Sequence, residues 1–327
     1  MKLIALAGGV GGAKLVDGFA QLLPPEDLTV IVNTGDDFEH LGLSISPDLD
    51  TVCYTLAGIA NPETGWGRAY ETFEVLDNIC ALGGETWFRL GDKDLATHLE
   101  RTRRLKEGQT LTQITRDFCH TWGVHHAILP MSDQPVRTMV DTVEFGELPF
   151  QEYFVHRKCE PKVKGFRFAG IETARPAPGV IESIATMDAI VICPSNPWVS
   201  IDPILAVLDL ASSSFPLFPS SRSQWEGRRC ESRTRYIAIS PIIGGQTVKG
   251  PAAKMYTELG ITPSALAVAR HYSSRLTHFV LDQVDQTLAA EVVAMSIRPL
   301  VTNTLMNTPQ ERCSLAQDVL NLIQSSL

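Results

Sequence analysis

The chain opens with a short, uninterrupted run of apolar residues. Residues 2–7 (KLIALA) end at a cluster of glycines, which is typical of a strand buried on both faces. Residues 14–23 then carry apolar side chains at helical spacing, and the pair Pro24-Pro25 ends that helix. Residues 28–33 (LTVIVN) form a second buried strand. The order of strand, glycine loop, helix and strand predicts a right-handed crossover between parallel strands.

Further apolar runs predict that the same sheet continues along the chain. They lie at 127–131, 189–194, 236–240 and 277–282, with helical patterns at 249–259, 264–272 and 308–325. Alternation of strands and helices is the pattern of an α/β fold. We therefore expect an α/β protein whose Rossmann-like parallel sheet core is flanked by helices, with a helical insertion and a partly antiparallel extension.

Three stretches depart from this alternation. Residues 60–126 are mostly helical in pattern and relatively charged, which predicts a helical insertion, or cap, within one Rossmann-like domain over 1–327. Residues 138–172 alternate apolar and polar side chains, as half-exposed antiparallel strands do. Residues 208–235 are rich in serine and arginine and have no apolar period, which predicts an atypical loop.

Composition and charge narrow the classes of partner. The 28 Lys and Arg against 37 Asp and Glu give a net charge of −9, which opposes binding to nucleic acids or anionic membranes. The N-terminal apolar run is shorter than the roughly 7 residues that a signal peptide needs, and no run approaches the roughly 18 of a transmembrane helix. The seven cysteines are scattered without a C-x-x-C pair, as in reduced proteins. We expect a cytoplasmic protein with no nucleic-acid or membrane partner.

The glycine-rich segment 8–14 (GGVGGAK) lies between the first predicted strand and helix. Closely spaced glycine amides at a helix N-terminus can hold a phosphate. The segment is not a Walker A loop, because Leu15 replaces the required Ser or Thr, and Lys14 breaks a clean G-x-G-x-x-G. A tight packing turn is the alternative to phosphate or nucleotide binding.

Four aspartates fall within fifteen residues beside the same predicted crevice. Asp36 and Asp37 follow the second strand within the segment 33–37 (NTGDD), and Asp48 and Asp50 lie just beyond. Carboxylates this close repel one another, and a bound Mg²⁺ relieves that repulsion. Helix caps or an Asx turn are the alternatives.

Polar groups also follow later predicted strands. Ser195 and Asn196 come after one strand, and the Gly244-Gly245 turn comes after the next. The charged run 89–98 (RLGDKDLATH) is a further candidate for the site. The alternative is that its charges lie on the exposed start of a helix. No nucleophile and base stand out, so metal and backbone electrostatics are expected to carry the chemistry.

Together these motifs resemble the 2-phospho-L-lactate transferase family, called CofD. The segments that carry the resemblance are GGVGGAKL (8–15), NTGDD (33–37), SPDLDTV (46–52), RLGDKDLATH (89–98), CPSNPWVSI (193–201), SPIIGG (240–245) and VKGP (248–251). They span nearly the whole chain in the family's order, and only 208–235 departs from the family pattern.

The resemblance implies a Mg²⁺-dependent group transfer. A 2-phospholactyl or phosphoenolpyruvyl-type group would pass from a guanosine diphosphate-linked donor, such as lactyl-2-diphospho-5′-guanosine, to the ribityl hydroxyl of Fo. Fo is 7,8-didemethyl-8-hydroxy-5-deazariboflavin, and the products would be dehydro- or coenzyme F-420-0 and GMP. The family also implies a homodimer. The acyl group of the donor (lactate, enolpyruvate or glycerate) stays open.

The resemblance assigns roles to individual residues. Asp50 would be catalytic and, with Arg89, would bind the acceptor Fo. The metal would be held by Asp36, Asp37 and Asp50. The donor nucleotide and its phosphates would lie at Gly9, Gly11, Gly12, Lys14, Asn33, Thr34, Ser195, Asn196, Gly244 and Gly245.

Two other functions fit a scaffold of this kind. One is a non-catalytic regulator that binds a nucleotide sugar. The other is an NAD-dependent dehydrogenase, because Asp36 follows the glycines by about 25 residues. The dehydrogenase is disfavoured by the missing third glycine of the fingerprint.

Overall fold

A computed structural model describes residues 1–211 and 235–325. The strands are β1 (Leu3–Ala7), β2 (Leu28–Val32), β3 (Phe38–His40), β4 (Leu43–Ile45), β5 (Ala127–Pro130), β6 (Arg137–Thr142), β7 (Gly146–Pro149), β8 (Val163–Ala169), β9 (Ala189–Ile192), β10 (Arg235–Ile239), β11 (Ile242–Ile243), β12 (Gln246–Thr247), β13 (His278–Asp282) and β14 (Arg298–Thr302). The helices are α1 (Gly9–Leu22), α2 (Pro47–Leu56), α3 (Glu74–Ala81), α4 (Asp92–Lys106), α5 (Leu111–Thr121), α6 (Val180–Ala185), α7 (Asp202–Ala211), α8 (Ala252–Glu258), α9 (Ala265–His271), α10 (Ala289–Ala294) and α11 (Pro309–Ser325).

Seven of these strands form one parallel sheet in the order β14-β13-β10-β9-β1-β2-β5. The chain builds outward from β1 in one direction through β2 and β5, and then in the other direction from β9. The connections therefore diverge beside β1, which opens a crevice at the carboxyl ends of β1 and β9. This confirms the predicted α/β class and its Rossmann-like core.

Strand β1 shows why the sheet is buried on both faces. Leu3, Ala5 and Ala7 belong to the hydrophobic cluster that includes α1 and α11, whereas Ile4 and Leu6 belong to the cluster on the opposite face with α7 and α9. Alternate residues of a strand point to opposite faces, so an uninterrupted apolar run fills both layers.

The connection from β2 to β5 contains the hairpin of β3 and β4, followed by α2 to α5. Residues 60–126 hold α3, α4 and α5. Their treatment as a cap within a single domain stays a prediction.

The antiparallel extension is confirmed as a three-stranded sheet in the order β7-β6-β8. Residues 152–156, within the stretch expected to alternate as strands, instead form one π-helical turn. Glu152 stabilises this turn because its carboxylate accepts hydrogen bonds from His156 Nδ1 (2.7 Å) and Arg157 Nε (3.0 Å). Phe150 and Tyr153 are buried beneath it.

Most of the atypical loop predicted for 208–235 lies outside the described residues. Residues 208–211 belong to α7, and Arg235 begins β10. Among the helices of 1–211 and 235–325, none combines the length and apolar character needed to cross a bilayer.

The contact of α1 with α11 requires a glycine, which gives a testable prediction. A Cβ at Gly18 would overlap the carbonyl of Arg312 and lie 3.1 Å from Ala316 Cβ. We expect Gly18→Ala to lower the free energy of unfolding in urea by about 1–3 kcal/mol through overpacking, although alanine has the higher helix propensity. Gly165→Ala is the control, because a Cβ there meets nothing within 4 Å, and its effect should stay within about 0.5 kcal/mol. Equal stability of the two variants would contradict the packing argument.

Candidate active site

A cavity of about 680 Å³ opens at the carboxyl ends of the parallel strands. The loop after β1 contributes Gly9, and the loop after β2 contributes Asp36. Ser195, Ser240 and Thr304 line it from the loops after β9, β10 and β14. Ligands bind at this edge in open parallel sheets.

The glycine loop after β1 packs tightly against the loop after β9. The Gly8 amide donates to Ser195 Oγ (3.2 Å), and the Ser195 hydroxyl donates to the Gly8 carbonyl (2.7 Å). Gly11 must be a glycine, since a Cβ there would overlap the carbonyl of Pro194. Helix α1 begins at Gly9, and the first amides of a helix have no partner within it. The Gly8 amide is bound to Ser195 and the Gly9 amide to Asp48, so the donors available to an anion in the cavity are the next amides of the first turn of α1, at the positive end of its dipole.

Asp48 joins the glycine loop to the loop after β2. Its Oδ1 accepts from the Gly9 amide (2.7 Å), and its Oδ2 accepts from Asn33 Nδ2 (2.9 Å). Asn33 Oδ1 in turn accepts from the Gly35 amide (2.8 Å). Asn33 and Thr34 are buried and lie behind the cavity lining. Asp48 therefore holds the loops after β1 and β2 together at the cavity wall.

Three buried carboxyl groups lie together at this edge. Burial raises the pKa of Asp37 to about 7 and that of Asp48 to about 6. Burial, and then the charge of Asp48, raises the pKa of Asp36 well above its usual range. Asp36 Oδ1 and Asp37 Oδ1 have no hydrogen-bond partner among the described residues. A cation would favour the ionised forms of these groups.

A second charged cluster surrounds Asp50 in the first turn of α2. Arg101 of α4 donates to both Asp50 oxygens, from Nη1 to Oδ2 at 3.1 Å and from Nη2 to Oδ1. His98 Nδ1 lies 3.2 Å from Arg101 Nη1, and His98 Nε2 lies 3.4 Å from Asp94 Oδ1. Asp94 Oδ1 also accepts from the Tyr54 hydroxyl (2.7 Å). All five side chains are buried or nearly so.

Two places could therefore hold a metal ion. Ligand atoms of Asp50, Asp94 and His98 lie within 4.8 Å of one another, but the guanidinium of Arg101 already contacts two of these residues. A second cation there would be repelled. Mg²⁺ prefers oxygen ligands and commonly uses one or two carboxylates plus substrate phosphates. The side with Asp36 and its unpartnered oxygen fits Mg²⁺ better.

Aromatic rings form part of the cavity wall. Trp66, Trp87 and Phe154 line the cavity, and the Trp87 ring stacks on His156 at a centroid distance of 5.1 Å and an angle of 13°. Arg89 is exposed at the same wall and lies 4.5 Å above the centre of the Phe73 ring. A wall of this kind suits a flat aromatic ligand.

Sequence comparison identifies the relatives of the chain. The family model described as 2-phospho-L-lactate transferase CofD matches residues 3–213. A phosphoenolpyruvate transferase from Streptomyces griseus subsp. griseus is 40% identical over 329 residues, which cover 99% of each chain. A 2-phospho-L-lactate transferase from Methanosarcina acetivorans is 35% identical over 323 residues, again covering 99% of each chain.

The chain belongs to the CofD family. The family resemblance of its motifs is thereby confirmed, as is the expectation that the protein is a transferase. A solved structure of a UPF0052 family member from Bacillus halodurans shares the fold, with a TM-score of 0.61 at 14% identity over 98% of each chain.

The cavity of this CofD family member collects most of the residues expected at the site. Those that line it are Gly9, Gly11, Lys14, Asp36, Asp50, Arg89, Ser195 and Asn196. Gly12, Asn33, Thr34 and Asp37 lie behind the lining, and Gly244 and Gly245 form the turn between β11 and β12. Their individual roles stay predictions.

Sequence analysis did not give roles to Asp94, His98 and Arg101. They are spaced at i, i+4 and i+7, which places them on one face of α4. The alternative that the run 89–98 decorates an exposed helix start is wrong for Asp94 and His98, because both are buried. The helical spacing of these three charged residues was the sequence signal that could have indicated a shared, buried face of α4.

The raised pKa of Asp37 predicts a pH-dependent stability. Its pKa of about 7 in the folded state exceeds the unfolded value of about 4, so the folded state binds the proton more tightly. The resulting stabilisation is complete below about pH 4 and is lost as the pH rises through about 7. The Asp37→Asn variant has no carboxyl group at this position, so its stability does not fall with pH for this reason. Without divalent cations, its free energy of unfolding relative to wild type should rise by at least about 1 kcal/mol between about pH 5 and about pH 8.

The measurement is urea unfolding at the two pH values with a chelator present. Asp77→Asn on the exposed face of α3 is the matched control and should show no such difference. A constant offset for Asp37→Asn at both pH values would contradict the assignment.

Proposed function

We propose that the enzyme transfers a phosphoenolpyruvyl group from a guanosine diphosphate-linked donor to the ribityl hydroxyl of Fo, with release of GMP, in the biosynthesis of coenzyme F-420. The observation that carries the proposal is a single cavity that is lined both by the glycine loop at a helix N-terminus and by aromatic side chains. The enolpyruvyl donor is favoured over the lactyl donor because identity is 40% to the phosphoenolpyruvate transferase and 35% to the phospholactate transferase.

The donor diphosphate is placed against the glycine loop. Burial, followed by the positive charges of Arg312 and Lys249, lowers the pKa of Lys14. Glu311 opposes the shift, and Arg312 is itself paired with Asp17. Lys14 and Lys249 are thus neighbouring cations beside the loop. An anionic diphosphate would relieve the repulsion between them. Lys249 also donates to the carbonyl of Thr64 (2.7 Å), which ties the segment containing Trp66 to this side of the cavity.

Asp36 and Asp48 are the residues that would hold Mg²⁺. Their carboxylates are buried together, and Asp36 has an oxygen without a partner among the described residues. When bound, Mg²⁺ supplies charge neutralisation for the diphosphate of the donor. This differs from the expected set of Asp36, Asp37 and Asp50, because Asp50 is ion-paired with Arg101 and Asp37, unlike Asp48, does not line the cavity.

Asp50 is placed on the acceptor side. Its carboxylate lines the same cavity as the glycine loop and the aromatic residues, where it can accept a hydrogen bond from the ribityl hydroxyl. The hydroxyl oxygen forms a bond to the phosphorus of the transferred group, the bond from that phosphorus to the bridging oxygen of the diphosphate breaks so that GMP leaves with that oxygen, and the hydroxyl proton passes to solvent water. Orienting the hydroxyl in line with the leaving oxygen is the contribution of Asp50.

The deciding experiment incubates the purified protein and Mg²⁺ with Fo and each candidate donor, followed by mass spectrometry of the deazaflavin. The enolpyruvyl product is lighter by two hydrogens than the lactyl product, so the acyl group is identified directly. Preferential formation of the lighter product is expected. Exclusive use of the lactyl donor would overturn the choice of acyl group, and no product with any donor would overturn the transferase proposal. Light scattering of the same sample tests the homodimer.

Asp50→Asn tests the role of Asp50. The variant keeps the shape of the side chain but removes its charge, and we expect turnover to fall by about 100-fold or more. Asp50 does not cap α2, since its oxygens are bound to Arg101, so the helix should persist. Circular dichroism and the rate of product formation are the measurements. Asp209→Asn, which breaks an Asp–Arg pair with Arg275, is the control and should keep wild-type turnover. Near-normal turnover in Asp50→Asn would contradict the role.

A further inference from the structure

Arg101 is a buried cation beside the cavity, and its guanidinium contacts the side chains of Asp50 and His98. Its side chain is 3% exposed, and its two terminal nitrogens hold the two oxygens of Asp50 in a fork. A guanidinium fork fixes the plane of a carboxylate as well as neutralising it, which an ammonium group does not do. Buried ion pairs are weak evidence for stability, because apolar residues of equal volume often do as well.

His98 fixes the other side of the guanidinium. Arg101 has only donors, so His98 Nδ1, 3.2 Å from Nη1, must be the acceptor. His98 Nε2 lies 3.4 Å from Asp94 Oδ1 without forming a hydrogen bond to it. Tyr54 donates to the same Asp94 oxygen (2.7 Å). His98 is therefore packed between Asp94 and the guanidinium of Arg101.

A different residue, Thr102, attaches α4 to the neighbouring hairpin of β3 and β4. Thr102 Oγ1 accepts from the Ser44 amide (2.8 Å) and donates to the carbonyl of His98 (2.7 Å). Arg101 reaches the Ser44 carbonyl only at 3.4 Å. The docking of α4 and the orientation of Asp50 can thus be disturbed independently.

We propose that Arg101 is a positioning residue for the transfer reaction, which holds the Asp50 carboxylate toward the acceptor hydroxyl and is itself held by His98. The inference rests on the proposed function, in which Asp50 orients the ribityl hydroxyl of Fo. Arg101 does not touch the acceptor. It acts through Asp50, so its effect must disappear when the Asp50 charge is removed.

The first test compares Arg101→Lys with Thr102→Val. Arg101→Lys keeps the charge but loses the fork, and a carboxylate that is misplaced by about 1 Å lowers turnover by up to about 100-fold. We expect kcat to fall at least about 10-fold with the KM for the donor changed less than about threefold. Thr102→Val weakens the docking of α4 and should lower the melting temperature with kcat kept within about twofold. An equal loss of kcat in the two variants would mean that Arg101 is merely structural.

The second test is a double-mutant cycle with Asp50→Asn. If Arg101 acts through Asp50, Arg101→Lys adds less than about threefold to the loss in the Asp50→Asn background. Independent action gives losses that multiply, which would overturn the proposal. Binding of Fo, read from quenching of tryptophan fluorescence, gives the same cycle without turnover.

The two proposals fail in different ways. A wild-type protein that binds Fo but forms no product with any donor overturns the proposed function, while the binding cycle still decides the role of Arg101. Additive losses in an active enzyme overturn only the role of Arg101. A wild-type protein that neither binds Fo nor turns over overturns both.

Discussion

Four carboxyl groups are buried at one edge of the parallel sheet, and the arrangement of the residues around the cavity offsets the electrostatic cost of burying them. Asp36, Asp37, Asp48 and Asp50 all lie in the first part of the connection from β2 to β5 and are all buried. A buried carboxylate must be neutralised, hydrogen bonded or protonated. Asp48 meets this requirement with the Gly9 amide and Asn33, whereas Asp50 meets it with Arg101. Asp36 retains an oxygen without a partner among the described residues and has a raised pKa, and both features support the proposed cation site.

The fold makes this arrangement available because the connections diverge on either side of β1. The loops after β1 and β9 are forced into contact there, and the paired hydrogen bonds of Gly8 and Ser195 fix their distance. The parallel sheet and the shared edge of its loops were open to prediction from sequence, whereas the strand order and the paired hydrogen bonds were not. An uninterrupted apolar run that ends at glycines has few other interpretations, and the carboxyl ends of parallel strands must share one edge.

Other features were not predictable by the same logic. The alternation of apolar and polar residues around 152–156 matches a strand, but side-chain hydrogen bonds of Glu152 favour a π-helical turn. The Gly244-Gly245 pair has the composition of a phosphate loop and also of a tight hairpin turn, and the structure shows the hairpin. His98 and Arg101 lie in a run whose charge suggests a solvated helix. Only tertiary contact with α2 shows that this face is buried, since a single helix carries no record of what packs against it.

The two sides of the cavity solve the same electrostatic problem differently. Asp50 is compensated by Arg101, which is part of the chain and buried with its partner. The Asp50 carboxylate is therefore already held in place in the free protein, and under the proposed function orienting the acceptor would cost little further rearrangement. Elsewhere in the cavity, Asp36 and Asp48 are buried carboxyl groups with raised pKa values, and neither forms an ion pair with a basic side chain among the described residues. Under the proposed function, a cation that accompanies the anionic donor would complete the charge balance there. Binding energy from the donor would then be tied to assembling that half of the site.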